Sequence, residues 1–244
     1  MSLNLANNNG THSIGYNHQR YQFRRRILRF LLRTIAANLL IKIDRVEGLE
    51  NIPKAGPAIL MINHIAFVDP LIVVHIAPRN IVPLAKIEVY DYPFIGIIPR
   101  LWGVIPIQRE EVDRQTVKKI LDVLRAGEII LVAPEGTRHP ELGPTKVGIA
   151  YIALRSMAPI VPITIEGSTG FPAFRLSSRW RQPGAIVRVG HPFRYRPGIR
   201  SSSHDLLRKM TDEAMYVLAA MLSPELRGIY SDLENATQET IEFL

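Results

Sequence analysis

The 244-residue sequence predicts an α/β fold, a single domain with a mixed central sheet flanked by helices and preceded by a basic amphipathic helix. Three observations predict it. From residue 45 onward, short apolar runs rich in Ile and Val alternate with segments of helical periodicity. Hydrophobic residues make up 47% of the chain against 21% charged, enough apolar side chain to fill one core, which excludes a disordered or collagen-like protein. The positive charge is concentrated at one end: residues 1–45 hold eight basic residues against Asp44 alone, whereas 201–244 hold three basic and eight acidic, within an overall balance of +8. The chain thus divides into a tail plus basic helix over 1–45 and a domain over 46–244. Cysteine is absent, which removes disulfides, thiolate metal sites and cysteine nucleophiles.

Residues 1–19, rich in Asn, Gly and Ser, read as a loose tail. A helix follows from about Tyr21 to Leu40. Arg25, Arg29 and Arg33 recur every fourth residue and share one face with Arg26, while Leu28, Leu31, Leu32, Ile35 and Leu39 fill the other. Arg29 and Arg33 interrupt the apolar run, which falls short of the roughly 20 residues that span a bilayer. No small-residue cleavage site marks a signal peptide. Two readings stand side by side. In one, the helix lies on a membrane with Arg25, Arg29 and Arg33 on anionic headgroups, each contributing about 1 kcal/mol. Exchanging the three for Glu would then weaken vesicle binding and leave the fold intact. In the other, its apolar side packs on the domain and its arginines stay in water. No nucleic-acid module follows, so no nucleic-acid partner is expected.

Ala58–Ile62 and Ile81–Ala85 read as buried strands joined by a short helix over Pro70–Ala77. Val104–Ile107 is a third strand, and Glu110–Ala126 an amphipathic helix stopped by Gly127. Glu128–Ala133 and Ile160–Ile165 are strands with a helix over Lys146–Met157 between them. Ala185–Val189 is a late strand. Ser203–Leu222 closes the domain as a helix with Leu206, Leu207, Met210, Ala214, Val217 and Leu218 on one side. Ser168–Gly184 shows no periodicity and reads as a loop. Its Arg175, Arg179 and Arg181 suit CoA phosphates, an acidic carrier protein or plain solvent equally well.

Two segments carry chemistry. Asn63-His64 ends the first buried strand and Asp69-Pro70 opens the next helix, with Asp69 where an N-cap belongs and Pro70 at the first helical position. His64 is left in the preceding loop. A carboxylate there can turn back onto one imidazole nitrogen and free the other to act as a base, or it can simply cap the helix. The composition gives roughly 0.2 such pairs by chance, so the spacing alone does not decide. The second segment, Pro134-Glu135-Gly136-Thr137-Arg138, directly follows an apolar strand. Gly lets the backbone approach a ligand, Thr adds a hydroxyl, and Arg offers a planar fork for phosphate oxygens.

On these segments the chain resembles the glycerolipid acyltransferase family of the 1-acylglycerol-3-phosphate (lysophosphatidic acid) acyltransferase type. Four blocks match in order and spacing: Asn63-His64-x-x-x-x-Asp69; Lys86-x-Glu88 to Gly96, with Gly103 and Ile107-x-Arg109; Pro134 to Arg138; and Ile160-Val161-Pro162-Ile163. They span about residues 46–195. The resemblance implies that His64 is the catalytic base and Asp69 its orienting partner. It implies that Glu135, Gly136, Thr137 and Arg138 line the acceptor-phosphate site with Lys86 and Arg109 nearby. Ala133 stands where the family usually has Phe, and His139 where Ser is common.

The implied reaction is direct transfer of a fatty acyl group from acyl-CoA or acyl carrier protein to the free hydroxyl of lysophosphatidic acid, giving phosphatidic acid for phospholipid synthesis. The sequence contains no G-x-S-x-G and no Cys, so the usual acyl-enzyme nucleophiles are missing. No cofactor beyond the thioester co-substrate is expected. Nor is a metal, because no third ligand accompanies His64 and Asp69 at a convincing spacing. The expected partners are the membrane lipid acceptor, the thioester donor and an anionic membrane surface, at the cytoplasmic face of a membrane in peripheral or monotopic fashion. The alternatives are another acceptor (glycerol-3-phosphate, a lysophospholipid or an ornithine lipid) or a non-catalytic lipid-binding membrane protein.

Overall fold

A computed structural model of the chain describes residues 17, 19–93, 96–108, 114–199 and 202–244. The expected N-terminal tail, apart from Asn17 and Gln19, lies outside them, as does Arg109 of the second block. The side chain of Asn17 accepts the N–H of Gln19 at 3.1 Å and opens α1 (Gln19–Leu31). The helix runs on through a π-helical turn at Leu32–Ala36 into α2 (Ala37–Leu40). The domain then proceeds as β1 (Ile43–Glu47), β2 (Ala58–Ile62), α3 (Asp69–Ile76), β3 (Ile81–Lys86), α4 (Ile97–Trp102), β4 (Ile105–Ile107), α5 (Arg114–Arg125), β5 (Ile129–Val132), α6 (Gly148–Ser156), β6 (Ile160–Glu166), β7 (Ala185–Val189), β8 (Phe193–Tyr195), α7 (His204–Ala220) and β9 (Ile241–Phe243).

Among the described residues nine strands form one mixed sheet in the order β1-β7-β6-β2-β5-β3-β4, with β8 attached to β6 and β9 to β8. β2 to β6 all run parallel, while β7 and β8 are antiparallel to β6. The continuous apolar runs of β2, β5 and β6 follow from this arrangement, because a parallel sheet covered on both faces buries both sides of every central strand. Alternate residues serve the two faces. Ile59, Met61, Ile130 and Val132 pack with side chains of α5, α6 and α7, among them Val123, Ile152, Met210 and Leu218. Ala58, Leu60, Ile62, Ile129 and Leu131 pack on the other face with Ile72 and Val73 of α3, Trp102 of α4 and Leu28 of α1. The result is the expected α/β domain with its mixed sheet between two helical layers.

Four elements were not expected: β1, α4, β8 and β9. The boundary expected after residue 45 falls inside β1, whose Ile43 already pairs with Ala185 of β7. The helix is therefore joined directly to the sheet.

The orientation of that helix corrects the expectation for Arg25 and Arg29. Arg25 is fully buried and donates from Nε to the carbonyl of Trp102 at 2.7 Å and from an Nη to that of Gly103 at 3.1 Å. These are carbonyls at the C-terminal end of α4. Arg29 donates to the carbonyl of Ala77, which closes α3. The last carbonyls of a helix lack intrahelical partners and carry the negative end of its dipole, so two arginines of α1 serve as caps for two other helices. Gly103 makes the contact possible: it sits at φ +70°, and a Cβ there would lie 2.5 Å from the Tyr21 ring of α1. Arg25 is thus inaccessible to a lipid headgroup and Arg29 is half-buried, whereas Arg33 remains exposed together with Arg24 and Arg26. With Arg25, Leu28, Arg29 and Leu32 turned toward the domain, Phe23, Ile27, Phe30, Leu31 and Ile35 point outward, Phe23 and Phe30 at 68% and 65% exposure. No helix among the described residues is long and apolar enough to cross a membrane.

Candidate active site

The site forms where the parallel strands end. In open α/β sheets, loops leaving the carboxyl ends of parallel strands build the ligand crevice. Here β2 leads into Asn63-His64, β5 into Pro134–Arg138, β3 ends at Lys86, and β4 ends at Ile107, paired with Lys86. Because β2, β5, β3 and β4 are consecutive neighbours, the first three sequence blocks emerge along one sheet edge.

Asn63 fixes the exit of β2. Its buried side-chain amide donates to the carbonyl of Ile165 at 2.9 Å and accepts the N–H of Ile165 at 2.8 Å, so it prolongs the β2–β6 ladder by one residue. The sequence contained this residue within a motif but gave no sign of its role, which depends on a partner 102 positions away.

His64 follows with its side chain 19% exposed. Its Nδ1 lies 3.1 Å from Oδ2 of Asp69, and the same oxygen accepts the N–H of Ile65 at 2.8 Å and of Ala66 at 2.7 Å. Asp69 is fully buried. The structure corrects its placement by one residue: Val68 is the N-cap and Asp69 the first helical residue, and its carboxylate makes no cap bond to α3. It turns back into the 64–66 loop instead, because that loop offers two amides and an imidazole, more than a cap position supplies. An acceptor carboxylate beside Nδ1 requires the proton there and leaves Nε2 with its lone pair free. Oδ1 of Asp69 accepts the hydroxyl of Ser168 at 2.6 Å, a contact the sequence did not indicate.

The second chemical segment locks onto the first. Glu135 accepts the backbone N–H of His64 at 3.3 Å on one oxygen and that of Gly143 at 2.9 Å on the other, while His139 N–H donates to the carbonyl of His64 at 2.9 Å. Glu135 is buried, with both oxygens engaged by backbone amides. It therefore holds the His64 loop. Gly136 stands at φ +64° with nothing within 4 Å of a would-be Cβ, so backbone conformation and not space requires glycine. Thr137 is half-buried and Arg138 exposed, on the loop that Glu135 anchors; Lys86 is half-buried at the end of β3. Arg179 of the 168–184 loop is spent on carbonyls of Gly167, Thr169 and Pro183, at 2.6, 2.7 and 2.7 Å. Among the described residues no group of three His, Asp or Glu side chains is arranged to hold a metal ion.

Burial pushes the Glu135 carboxyl up to about 7, and the amides of Gly143 and His64 only partly offset it. The native state therefore holds its proton more tightly than the unfolded chain does. The associated stability is fully present below pH about 4.5 and is lost as pH rises through about 7, at most about 3 kcal/mol for this shift. Glu135→Gln has no such titration. Its melting temperature relative to wild type is expected to be higher at pH 8 than at pH 5, and parallel melting curves across this range would rule the assignment out.

The family model described as "Acyltransferase" matches residues 44–166, just over half of the chain and from β1 through β6. The chain belongs to the acyltransferase family. A 1-acyl-sn-glycerol-3-phosphate acyltransferase of Borreliella burgdorferi is 36% identical over 131 residues, 52% of this chain and 52% of that protein. One of Bacillus subtilis is 32% identical over 133 residues, 54% of this chain and 67% of that protein. The acyltransferase chain thus spans about half the length of the first of these relatives and two thirds of the second. Its fold is also that of the crystal structure of the 1-acyl-sn-glycerophosphate acyltransferase PlsC from Thermotoga maritima, with a TM-score of 0.53 and 22% identity over 81% of this chain and 76% of that one. The contacts of His64, Asp69 and Glu135 lie within the region matched to the acyltransferase family except that of Asp69 with Ser168, two residues beyond it.

Proposed function

We propose that the protein transfers a fatty acyl group from an acyl-CoA or acyl carrier protein thioester to the free hydroxyl of lysophosphatidic acid, giving phosphatidic acid, with His64 as general base. The observation that carries this reading is the half-buried imidazole whose Nδ1 faces the buried Asp69 carboxylate at 3.1 Å. Nε2 removes the hydroxyl proton as the oxygen attacks the thioester carbonyl, and Asp69 stabilises the imidazolium that forms. The tetrahedral intermediate then expels the thiolate, which recovers the proton from His64. Arg138, Lys86 and Arg109 bind the acceptor phosphate, with Gly136 and Thr137 giving the backbone shape of that subsite. Glu135 contributes by holding the loop.

The enzyme works as a peripheral protein at the cytoplasmic face of a membrane. An outward apolar helix face suits the acyl-chain boundary, and the exposed Arg24, Arg26 and Arg33 suit anionic headgroups. The apolar face of α1 thus takes the part that the sequence assigned to Arg25 and Arg29.

The test is acceptor profiling in vesicles with labelled palmitoyl-CoA and, separately, palmitoyl acyl carrier protein, following lipid product and free thiol together. Phosphatidic acid formed in step with thiol from lysophosphatidic acid, and not from glycerol-3-phosphate, a lysophospholipid without the phosphomonoester or a lyso-ornithine lipid, supports the reading. Preference for any of the other acceptors overturns the acceptor assignment, thiol release without lipid product indicates hydrolysis, and no turnover with either donor overturns the enzymatic reading.

A further inference from the structure

Each oxygen of the Asp69 carboxylate answers to a different part of the fold. Oδ2 takes the amides of Ile65 and Ala66 and faces Nδ1 of His64, all from its own loop. Oδ1 takes the hydroxyl of Ser168, 99 residues away and fully buried, at 2.6 Å. Ser168 lies two residues beyond the end of β6, and β6 is the neighbour of β2, whose exit carries His64. The Asn63 amide locks these two strand exits in register through Ile165. The turn presenting Ser168 is held in turn by Arg179, whose guanidinium donates to the carbonyls of Gly167 and Thr169 on either side of Ser168 and lies 4.1 Å from the centre of the Phe171 ring.

We propose that Ser168 is a positioning residue for acyl transfer, fixing the Asp69 carboxylate in the rotamer that presents Oδ2 to His64. The proposal rests on the reading of His64 as general base. Without the hydroxyl, Oδ1 is a buried carboxylate oxygen with no hydrogen-bond donor recorded among the described residues. Such an oxygen either takes up a proton or swings toward water, because an unpaired buried charge is costly. Either response removes negative charge from Nδ1, so the imidazolium forms less readily while the acceptor and donor subsites are untouched. The hydroxyl is short, neutral and already at hydrogen-bond distance, so it orients the carboxylate without competing with the imidazole for its charge.

The experiment is a double-mutant cycle of Ser168→Ala and Asp69→Asn on the full chain, with kcat and both KM values measured for lysophosphatidic acid and palmitoyl-CoA in vesicles and melting temperature as a check on folding. Ser168→Ala is expected to lower kcat about tenfold, the size of one hydrogen bond to a charged group, and to leave both KM values unchanged. Added to Asp69→Asn it is expected to cost no further kcat. Ser168→Cys, close in shape but a weaker donor, is expected to fall between serine and alanine and keeps the test decisive if the alanine variant folds poorly. Wild-type kcat in Ser168→Ala, a loss confined to KM, or the same tenfold loss repeated in the Asp69→Asn background each overturns the proposal. If Asp69→Asn and His64→Ala themselves keep wild-type kcat, the general-base reading falls first and this failure is distinguishable from the others.

Discussion

His64→Ala is expected to lower kcat by at least roughly 10²-fold, the lower bound for loss of a general base, while KM for either substrate changes little. The structure makes this a clean substitution. What stitches the catalytic loop to its neighbours is the backbone of residue 64, whose N–H meets Glu135 and whose carbonyl meets His139, and alanine keeps both. Asp69→Asn is expected to cost less, about ten- to a hundredfold, because the amide oxygen can still accept the amides of Ile65 and Ala66 while only the charge beside the imidazole is lost. Its NH₂ would face the Ser168 hydroxyl, which can rotate to accept. Steady-state turnover of lysophosphatidic acid with palmitoyl-CoA checks both. A His64→Ala enzyme within threefold of wild type would leave Asp69 as a plain loop-holding carboxylate.

The central strands were legible because burial on both faces writes itself as an uninterrupted apolar run, and Ala58–Ile62 is found at the residues expected. The missed strands lack that mark. β1 reads Ile-Asp-Arg-Val-Glu with its middle three residues exposed at the sheet edge, and β8 and β9 are three residues each, held by pairing at the margin. The pair His64 and Asp69 was legible because it is local, separated by a turn. Asn63 with Ile165 and Ser168 with Asp69 were not, because the adjacency of β2 and β6 is a property of sheet order, which no local pattern encodes. Glu135 shows the same limit in another form. Its motif marks it as special, but whether its carboxylate meets ligand or backbone depends on a loop from another strand.

The N-terminal helix shows how far a helical wheel reaches, and its consequence is the second large effect. Periodicity separates an arginine face from an apolar face but does not say which one the domain takes. Turning arginines toward the domain looks prohibitive until the carbonyl ends of α3 and α4 are placed beneath them, where the guanidiniums of Arg25 and Arg29 find acceptors. This orientation separates folding from membrane binding by residue. Arg25→Ala is expected to remove the hydrogen bonds to the carbonyls of Trp102 and Gly103 and cost about 3 kcal/mol, a melting temperature lower by about 6–12 °C, in the absence of any lipid. Phe23→Ser with Phe30→Ser removes two exposed rings and should leave the melting temperature unchanged. Each ring contributes about 1.5–3 kcal/mol when it leaves water for the acyl region, so co-flotation of this double variant with anionic vesicles is expected to fall at least roughly 10²-fold. Undiminished flotation of the phenylalanine variant would mean that the outward face of α1 meets something other than a bilayer. Unchanged melting of Arg25→Ala would mean that the helix is not docked through its arginines.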